Sequence, residues 1–407
     1  DGNGIGYISF HRKSFDYIAN SHKEAARAFL EDSKKRFWVG WKRNHRKQPG
    51  FVCLYDSQGK WVGNLSEDGK VLPDRGVSFN ADVYCFYEDK DQNIWLGTKG
   101  DGLYFLEQKG DSNYQVTQYR HDASNPYSLS SDLIYSILQD SAGRIWIATF
   151  GGGINLIKET SRCDNFQFIH SGNILNNYPI HVCDKVRCLY ESDEGIIYIG
   201  TTGGLLSCSS DFSRPEAIYF YHNVCNERYS SLSSNDVMDI SQIGNDKLSV
   251  TTLGGGINIL DKSKKLSDKL IFKHYNATNG SVPDWSLSTI EDTDGNIWVA
   301  SDNKLSKFDS EMNLLGEYSD QTQMTEAKPD LCSSGKLLFG SVLGALHVAP
   351  SEMHNSHFIP PIVFSHLDIN LNNNSRQQKI FCNETTQYLK ADERNFMITF
   401  ASLDYVN

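Results

Sequence analysis

The sequence is short of positive charge and has no long apolar run, and each shortage excludes a class of protein. Its 407 residues carry 39 Lys and Arg against 50 Asp and Glu, a net charge of −11. Nucleic-acid-binding surfaces need clustered basic side chains, so such a surface is not expected. The longest basic run, residues 42–47, is expected to be a solvated loop. No stretch of about eighteen apolar residues is present to span a bilayer.

Motifs for metal, cofactor and covalent chemistry are also scarce. Nine cysteines show no CxxC spacing, so buried free thiols are expected, with a Cys183–Cys188 bridge as the alternative. His354 and His357 lack a supporting carboxylate or cysteine spacing for a metal site. No GxSxG occurs, and 50 acidic residues offer carboxylate pairs without singling one out. We therefore predict no cofactor, no metal and no catalytic residue in this chain.

Glycine and aromatic residues, by contrast, are abundant and form a repeat. Residues 145–154 read IWIATFGGGI, which is an alternating strand, a glycine turn able to adopt positive φ, and the start of a second strand. The phrase returns about every fifty residues, in seven copies. These copies align on Trp38, Trp95, Trp146, Tyr198, Ser249, Trp298 and Leu338.

Each copy predicts a unit of four strands, a to d, in which strand b carries the aligned residue. In the third unit the strands are expected at residues 134–139, 144–149, 154–157 and 166–170. Residues 23–32 have a helix-forming composition, but the register of the repeat favours a strand there.

Seven such units predict an all-β fold, a seven-bladed β-propeller of four-stranded antiparallel blades. An open solenoid is the alternative. We place the propeller at residues 21–357, outer strands of a preceding or closing blade at residues 1–20, and the start of a β-sandwich (Ig-like) domain at residues 358–407. Because the chain begins and ends inside strand-like segments, we expect it to be a piece of a longer protein.

Two local patterns resemble ligand sites but are better explained as turns. Residues 89–93 (DKDQN) and 292–296 (DTDGN) start like an EF-hand loop, yet the twelfth position, which needs a bidentate Glu, holds Gly100 and Asn303. They are predicted to be a–b hairpin turns. The glycines at 151–153 precede a strand and not a helix, so a phosphate cradle is excluded.

Ligand-binding residues are expected on the face where the d–a and b–c loops emerge, because the copies differ there. The aromatic and hydrogen-bonding groups of these loops suit a carbohydrate, and Lys99 and Arg43 suit an acidic sugar. The recurring aromatics of strand b are expected to pack between blades instead. The candidates are Trp41, Arg43, Lys99, Asp101, Asp132, Phe150, Asp236, Asp284 and Trp285.

Several stretches resemble a known family. The units and their lead-ins resemble two-component regulator propeller repeats, most clearly at residues 94–103, 127–134, 145–154 and 231–237. PPIVF at 360–364 and FMITFASLDY at 396–405 resemble the opening of the Y_Y_Y domain that follows such propellers. Ser249, Leu338 and Asp302 depart from the repeat, which predicts irregularity in those blades.

The resemblance implies the periplasmic sensor region of a hybrid two-component system, anchored in the inner membrane. Its implied partners are an oligosaccharide ligand, an upstream propeller, the downstream Y_Y_Y domain and a second copy in a homodimer, with no nucleic-acid contact by this part. A membrane helix, a histidine kinase and a response regulator for transcription would follow. The periplasmic setting outweighs the cysteine count, which by itself favours a reducing compartment.

Three functions follow from these patterns. A non-enzymatic sensor, in which a ligand shifts the packing of the propeller against its neighbours, is favoured. A propeller-fold polysaccharide lyase or glycosidase would instead show clustered His, Tyr, Arg or carboxylates with shifted pKa values on one face. A purely structural propeller would leave the signal to an upstream domain.

Overall fold

Seven antiparallel β-sheets surround one channel in the unit Ser14–Met353. This computed structural model confirms the predicted seven-bladed β-propeller and excludes the open solenoid. The structure describes residues 15–18, 25–43, 50–158, 165–227, 230–261, 266–279, 282–319, 323–353, 362–370, 376–380 and 395–402.

The blades are numbered in chain order, each starting at the channel. β1 (Phe15–Ile18) precedes them. Blade 1 contains β2 (Ala26–Glu31), β3 (Phe37–Trp41), β4 (Val52–Tyr55), β5 (Trp61–Leu65) and β6 (Val71–Leu72), and blade 2 contains β7 (Val83–Glu88), β8 (Ile94–Thr98), β9 (Leu103–Gly110) and β10 (Asn113–Tyr119). Blade 3 contains β11 (Ile134–Gln139), β12 (Ile145–Thr149), β13 (Gly153–Ile157) and β14 (Phe168–Ile169). Blade 4 contains β15 (Val186–Glu191), β16 (Ile196–Thr201), β17 (Gly204–Ser209) and β18 (Tyr221–Asn223).

Blades 5 to 7 complete the ring. Blade 5 contains β19 (Val237–Ile243), β20 (Lys247–Thr252), β21 (Gly256–Asp261) and β22 (Phe272–Tyr275). Blade 6 contains β23 (Ser286–Glu291), β24 (Ile297–Ser301), β25 (Leu305–Phe308) and β26 (Leu314–Tyr318), and blade 7 contains β27 (Asp330–Leu331), β28 (Leu337–Ser341) and β29 (Gly344–Val348). The segment with helix-forming composition is strand β2, as the repeat register predicts. The last strand of the third unit is shorter than predicted, and blade 1 has a fifth strand, β6.

A carboxylate closes the a–b turn wherever strand b carries a tryptophan. In blade 3, Asp140 accepts the backbone N–H of Arg144 at 2.8 Å through Oδ1 and the indole N–H of Trp146 at 2.9 Å through Oδ2. These bonds satisfy an indole and a carboxylate that are both fully buried. The same bond joins Asp32 to Trp38, Asp89 to Trp95 and Asp292 to Trp298, at 3.0, 2.8 and 2.8 Å. The hairpin turns predicted at 89–93 and 292–296 are confirmed.

The aromatic of strand b packs against the next blade, as predicted. Trp146 lies in one buried cluster with Val186 and Leu189 of blade 4. Two residues further along strand b the repeat needs a small residue. A Cβ on Gly97, for example, would lie 2.6 Å from Cγ2 of Ile134 in blade 3. The repeated phrase therefore encodes the contact between blades.

Strand a of six blades carries a β-bulge at its second residue. In blade 2, Val83 pairs with Thr98 and Cys85 pairs with Gly97, so Tyr84 is the extra residue. A bulge interrupts the alternation of a strand and turns the extra side chain to a new direction, here toward the channel. The bulged residues are Arg27, Tyr84, Tyr135, Arg187, Met238 and Leu287.

The ring is closed by β1, which is the outer strand of blade 7 in the order β1-β29-β28-β27. Phe15 lies opposite Val348 and Ile18 lies opposite Ala345. Ile18 is buried. A strand from the start of the chain thereby joins the last blade to the first and covers a sheet edge. The bounds predicted for the propeller and its flanking segments stay predictions.

Helical structure is confined to single turns in the described residues: α1 (Ile180–Cys183) and three 3₁₀ turns, Pro215–Ala217, Ala277–Asn279 and Pro350–Glu352. Among the described residues, no helix is long and apolar enough to cross a membrane. A second unit contains β30 (Ile362–Asn370), β31 (Arg376–Ile380) and β32 (Asn395–Ser402), an antiparallel sheet in the order β31-β30-β32. The predicted β-sandwich and Y_Y_Y identity of this unit stay predictions.

The described cysteines are free thiols, so the alternative Cys183–Cys188 bridge is wrong. Both side chains are buried in β-rich cores, and burial raises the pKa of each thiol. The two histidines considered as metal ligands, His354 and His357, lie outside the described residues.

We expect Asp89→Ala to destabilise the protein far more than Asp91→Ala in the same turn. The first change removes the acceptor of the Trp95 indole and of two turn amides, whereas Asp91 is exposed. Loss of hydrogen bonds to a charged acceptor should cost about 2 kcal/mol. Urea unfolding of the two variants measures the difference, and equal midpoints would contradict the role given to the Asp–Trp bond.

Acid should weaken the ring-closing blade through His347 of β29. Burial, followed by the charge of Lys336, lowers the pKa of His347 to about 4, against about 6.5 in an unfolded chain. The unfolded state therefore takes up the proton first. The stability that His347 contributes is complete above pH 6.5 and falls toward pH 4, by at most about 1.4 kcal/mol per pH unit.

His347→Gln should flatten this part of the curve when urea midpoints are measured between pH 7 and 4. The matched change His181→Gln, at an exposed position, should leave the curve of the parent protein unchanged. If His347→Gln loses stability between pH 7 and 4 as steeply as the parent protein, His347 is not the cause of the acid sensitivity.

Candidate functional site

The innermost strands of all seven blades line a central cavity of about 270 Å³. This volume is close to the lower limit of small-molecule sites in proteins, roughly 300 Å³. We call its end on the side of the b–c turns the mouth. Three of these turns pair with the residues that lead into strand a of the next blade, beside bulged side chains that line the cavity. Lys99 is bridged to Leu133 and Phe150 to Lys185 in this way. The loops selected from the sequence therefore border the mouth.

Three aromatic rings from blades 2 and 3 form a row at the mouth. Tyr84 and Tyr135 occupy bulged positions, and their ring centroids are 4.3 Å apart. Tyr135 also stacks on Phe150 of the b–c turn, with centroids 4.8 Å apart and planes at 18°. All three side chains are half-buried. The planes of Tyr84 and Tyr135 are tilted by 40°. Such a stack presents ring edges and phenol hydroxyls to its surroundings, whereas most ring faces are turned to one another.

Four cations lie over these rings. Cζ of Arg27 is 4.1 Å and Nζ of Lys99 is 5.5 Å from the centroid of Tyr84. Arg27 also donates to the Tyr84 hydroxyl. On the other side, Nζ of Lys185 and Cζ of Arg187 are 5.6 and 5.4 Å from the ring of the b–c turn. These distances are within the range of cation–π attraction. A chain with a net charge of −11 thus concentrates positive charge at one place.

Three carboxylates face the cations. Oε2 of Glu326 accepts from Nη2 of Arg27 at 2.6 Å. Asp236 accepts from Nε and Nη2 of Arg187 at 2.8 and 3.2 Å, a two-point pair that fixes the guanidinium. Burial raises the pKa of Asp82, and its Oδ1 has no partner among the described residues. In the part of the chain that the structure describes, no three His, Cys, Asp or Glu side chains gather as a metal site.

Glu326 comes from an irregular inner strand in blade 7. Met324 is bridged to Ser341, and Asp330 pairs with Leu338. Between these two pairs the inner segment advances six residues while strand b advances only three, so the inner segment bulges. This wide bulge puts Glu326 in the wall of the cavity. The irregularity expected for the seventh copy is thus confirmed, and it supplies an acidic group to the mouth. Blades 5 and 6, for which irregularity was also expected, keep four paired strands and the usual bulge.

The opposite wall of the mouth is apolar. Met238 and Leu287, the bulged residues of blades 5 and 6, are buried together with Leu253 packed against them. Trp285 is the bridge partner of Leu253, and 60% of its surface is exposed. The mouth therefore has a cationic, aromatic side in blades 1 to 4 and an apolar side in blades 5 and 6.

Two of the predicted residues hold the b–c turns through their main chains. The carbonyl of Asp132 accepts the N–H groups of Gly100 and Gly102, both at 3.1 Å. Asp284 does the same for the b–c turn of blade 5. The carboxylate of Asp132 is paired with Arg120 at 3.2 Å. The main-chain carbonyls of both aspartates therefore link neighbouring blades.

The remaining candidates are divided between the core and the mouth. Trp41 is fully buried in blade 1, where its indole lies 3.2 Å from Sγ of Cys53, so it offers no face to a ligand here. Arg43 and Asp101 pair with each other at 3.1 Å. The candidates that the structure brings together at the channel mouth are Lys99, Phe150 and Asp236.

Sequence reasoning missed Arg27, Tyr84, Tyr135, Arg187 and Glu326. It placed variable residues on loops, whereas four of these five are the second residue of strand a. A signal was present in the aligned copies, because this position follows the first residue of strand a and holds Arg, Tyr, Met or Leu in different blades. The bulge that points it into the channel could not be read from the alternation of a regular strand.

Comparison with known proteins agrees with this fold. Residues 76–100 and 128–151 match the family described as Two component regulator propeller, so the chain carries these repeats, as the sequence predicts. The chain is also 26% identical over 159 residues to Histidine kinase P4 of Formosa agariphila. That match covers 37% of this chain and 10% of the kinase, so the chain spans a small part of that relative.

Two solved structures are similar over the propeller. YCF48 from Cyanidioschyzon merolae is 13% identical with a TM-score of 0.57, over 83% of this chain and 99% of that one. Virginiamycin B lyase from Staphylococcus aureus is 12% identical with a TM-score of 0.56, over 82% and 97%. At these identities the likeness shows the fold alone.

We expect Gly153→Ala to destabilise the b–c turn of blade 3 more than Gly151→Ala. Both glycines have positive φ, +72° and +113°, and both amides bond to the carbonyl of Asp184. A Cβ at Gly153 would lie 2.6 Å from Cε1 of Tyr178, whereas among the described residues nothing lies within 4 Å of one at Gly151. Urea unfolding should show an extra loss of about 1–3 kcal/mol, and equal losses would contradict this packing.

Proposed function

Because the chain is a propeller of two-component regulator repeats, we propose that it is a ligand-sensing part of a sensor histidine kinase, and that its signal is an oligosaccharide. The observation that carries the proposal is the row of Tyr84, Tyr135 and Phe150 at the channel mouth, flanked by Arg and Lys side chains. The partial likeness to a histidine kinase supports the signalling role.

The chemistry of the mouth suits a sugar. A sugar ring presents C–H groups on one face and hydroxyls around its edge. The C–H face would pack along the edges of Tyr135 and Phe150, while the hydroxyls would bond to Arg187 and to the Tyr84 hydroxyl. On the far side, Trp285 is placed to cover a second ring of the chain. This arrangement needs no cofactor and no metal.

Signalling would follow from differential binding to two arrangements of the propeller, since a ligand shifts an equilibrium only by that difference. We place the protein in the periplasm, anchored in the inner membrane and acting as a homodimer with an upstream propeller, a Y_Y_Y domain and a response regulator that controls transcription. These features rest on the two-component repeats.

A polysaccharide lyase is the second candidate, because the clustered groups expected of an enzyme are present. The hydroxyl of Tyr84 is bonded to Arg27, which also holds Glu326. An arginine next to a tyrosine can hold a sugar carboxylate while the phenolic oxygen removes a nearby proton.

Calorimetric titration of the whole chain with tetrasaccharides, followed by chromatography of the sugar, tests both candidates. The sensor predicts binding without a change in the sugar. Tyr135→Ala and Phe150→Ala should each weaken binding at least about fivefold, since each removes one ring of the aromatic wall.

The matched control is Tyr219→Ala, at an exposed position outside the mouth. It should bind the sugar like the parent protein. New unsaturated products would favour the lyase, and the absence of binding to neutral and acidic sugars alike would exclude the mouth as a sugar site.

A further inference from the structure

Glu326 has an unusual position among the groups of the channel mouth. Its carboxylate is held by Arg27 of blade 1 at 2.6 Å, across the seam where the last blade meets the first. Its side chain is 41% exposed, so it lies at the surface of the cavity. It is thus an acidic group of the chain itself that covers the guanidinium from the ligand side.

Other cations act on the same carboxylate. Burial would raise the pKa of Glu326, but Arg27 and, more weakly, Arg187 and Lys99 reverse this, and the pKa lies below its usual range. These three cations come from blades 1, 4 and 2. The mouth is therefore built so that charges from separate blades stabilise one anion.

The two arginines of the mouth differ in how firmly a carboxylate of the chain holds each guanidinium. Arg187 is held at two points by Asp236, which directly precedes β19. The carboxylate partner of Arg27 is Glu326, at one point, on a wide bulge in which six residues span three. A bulged segment can move with less loss of strand pairing than a regular strand. Arg27 is therefore the guanidinium that an incoming anion can take over.

We infer that Glu326 occupies the anion-binding position of the mouth in the free protein, and that the ligand is an acidic oligosaccharide whose carboxylate or sulfate replaces Glu326 on Arg27. This inference rests on the proposed sugar-binding function and names the class of sugar. Arginine binds planar carboxylates and sulfates through two parallel N–H groups, so it can exchange one anion for the other. The neighbouring rings would hold the sugar to which the anion is attached.

The exchange also suggests what the ligand changes. The hydroxyl of Thr325, next to Glu326, donates to the carbonyl of Ala26 in blade 1 at 2.9 Å. Release of Glu326 would therefore loosen residues 323–331, where the last blade meets the first. The bound sugar would at the same time cover the aromatic side chains at the mouth. Ligand binding would thereby act on the blade that closes the propeller.

The test compares Glu326→Gln with the parent protein in calorimetric titrations with tetragalacturonate, a chondroitin sulfate tetrasaccharide and the neutral sugar cellotetraose. Removing the competing charge should tighten binding of at least one acidic sugar about tenfold, the size of one charge-assisted hydrogen bond, and leave cellotetraose unchanged. Arg27→Gln should weaken the same acidic sugar by a similar factor. Galacturonate alone would identify a carboxylate as the anion, and chondroitin sulfate alone would favour the sulfate.

Glu317→Gln is the matched control, because Glu317 is also a partly exposed acid paired with a cation, Lys304, but on the outer strand of blade 6. It should bind like the parent protein. Hydrogen exchange should show faster exchange of residues 323–331 when the acidic sugar is bound to the parent protein, and no such change in Glu326→Gln.

The outcomes separate this inference from the proposed function. If cellotetraose binds as tightly as the acidic sugars, in a manner that depends on Tyr135, the sugar site stands and the acidic class is wrong. If Glu326→Gln weakens binding of the acidic sugar, Glu326 contacts the ligand and the exchange is wrong. If none of the three sugars binds, the proposed function and this inference both fail.

Discussion

The hydrogen bond between a turn carboxylate and the indole of strand b is the interaction on which the blades depend. A buried carboxylate such as Asp140 is tolerated because the amide and guanidinium of Arg144 and the indole of Trp146 satisfy it. The bond fixes where strand a ends and strand b begins, and it sets the aromatic ring against the next blade. Four of the seven blades use it.

A fixed inner hairpin allows the first part of strand a to deviate. The bulge at its second residue recurs in six blades, so six side chains of four kinds reach the channel from equivalent positions. Repetition of the backbone thereby brings together residues that are far apart in the sequence. Blade 7 breaks the pattern with a wide bulge and adds Glu326. The site owes its asymmetry, cationic and aromatic on one side and apolar on the other, to what each copy carries at this position and in the adjoining loops.

The repeat made the fold predictable, because the period, the turn residues and the alternation of strand b all point to the same answer. The candidate site was only partly predictable. The sequence suggested Lys99, Phe150 and Asp236 because they lie in loops that differ between copies, and the structure brings these three together at the mouth. Trp41 was misjudged, since an aromatic after strand b looks like a loop residue until its burial in blade 1 is seen. Asp132 and Asp284 were chosen for their carboxylates, whereas the structure also uses their main-chain carbonyls to link blades.

The sequence by itself determined the number of blades, their strands and the turns that join them, because these depend on interactions between residues close in the chain. The tertiary structure decided how the ring closes, since β1 and β29 are more than three hundred residues apart and only their pairing shows that the first strand completes the last blade. It also decided which side chains share the channel mouth. Tyr84, Tyr135, Arg187 and Glu326 carry no common motif. They meet because closure of the ring points the bulged position of six blades, and the irregular inner segment of blade 7, at the same axis.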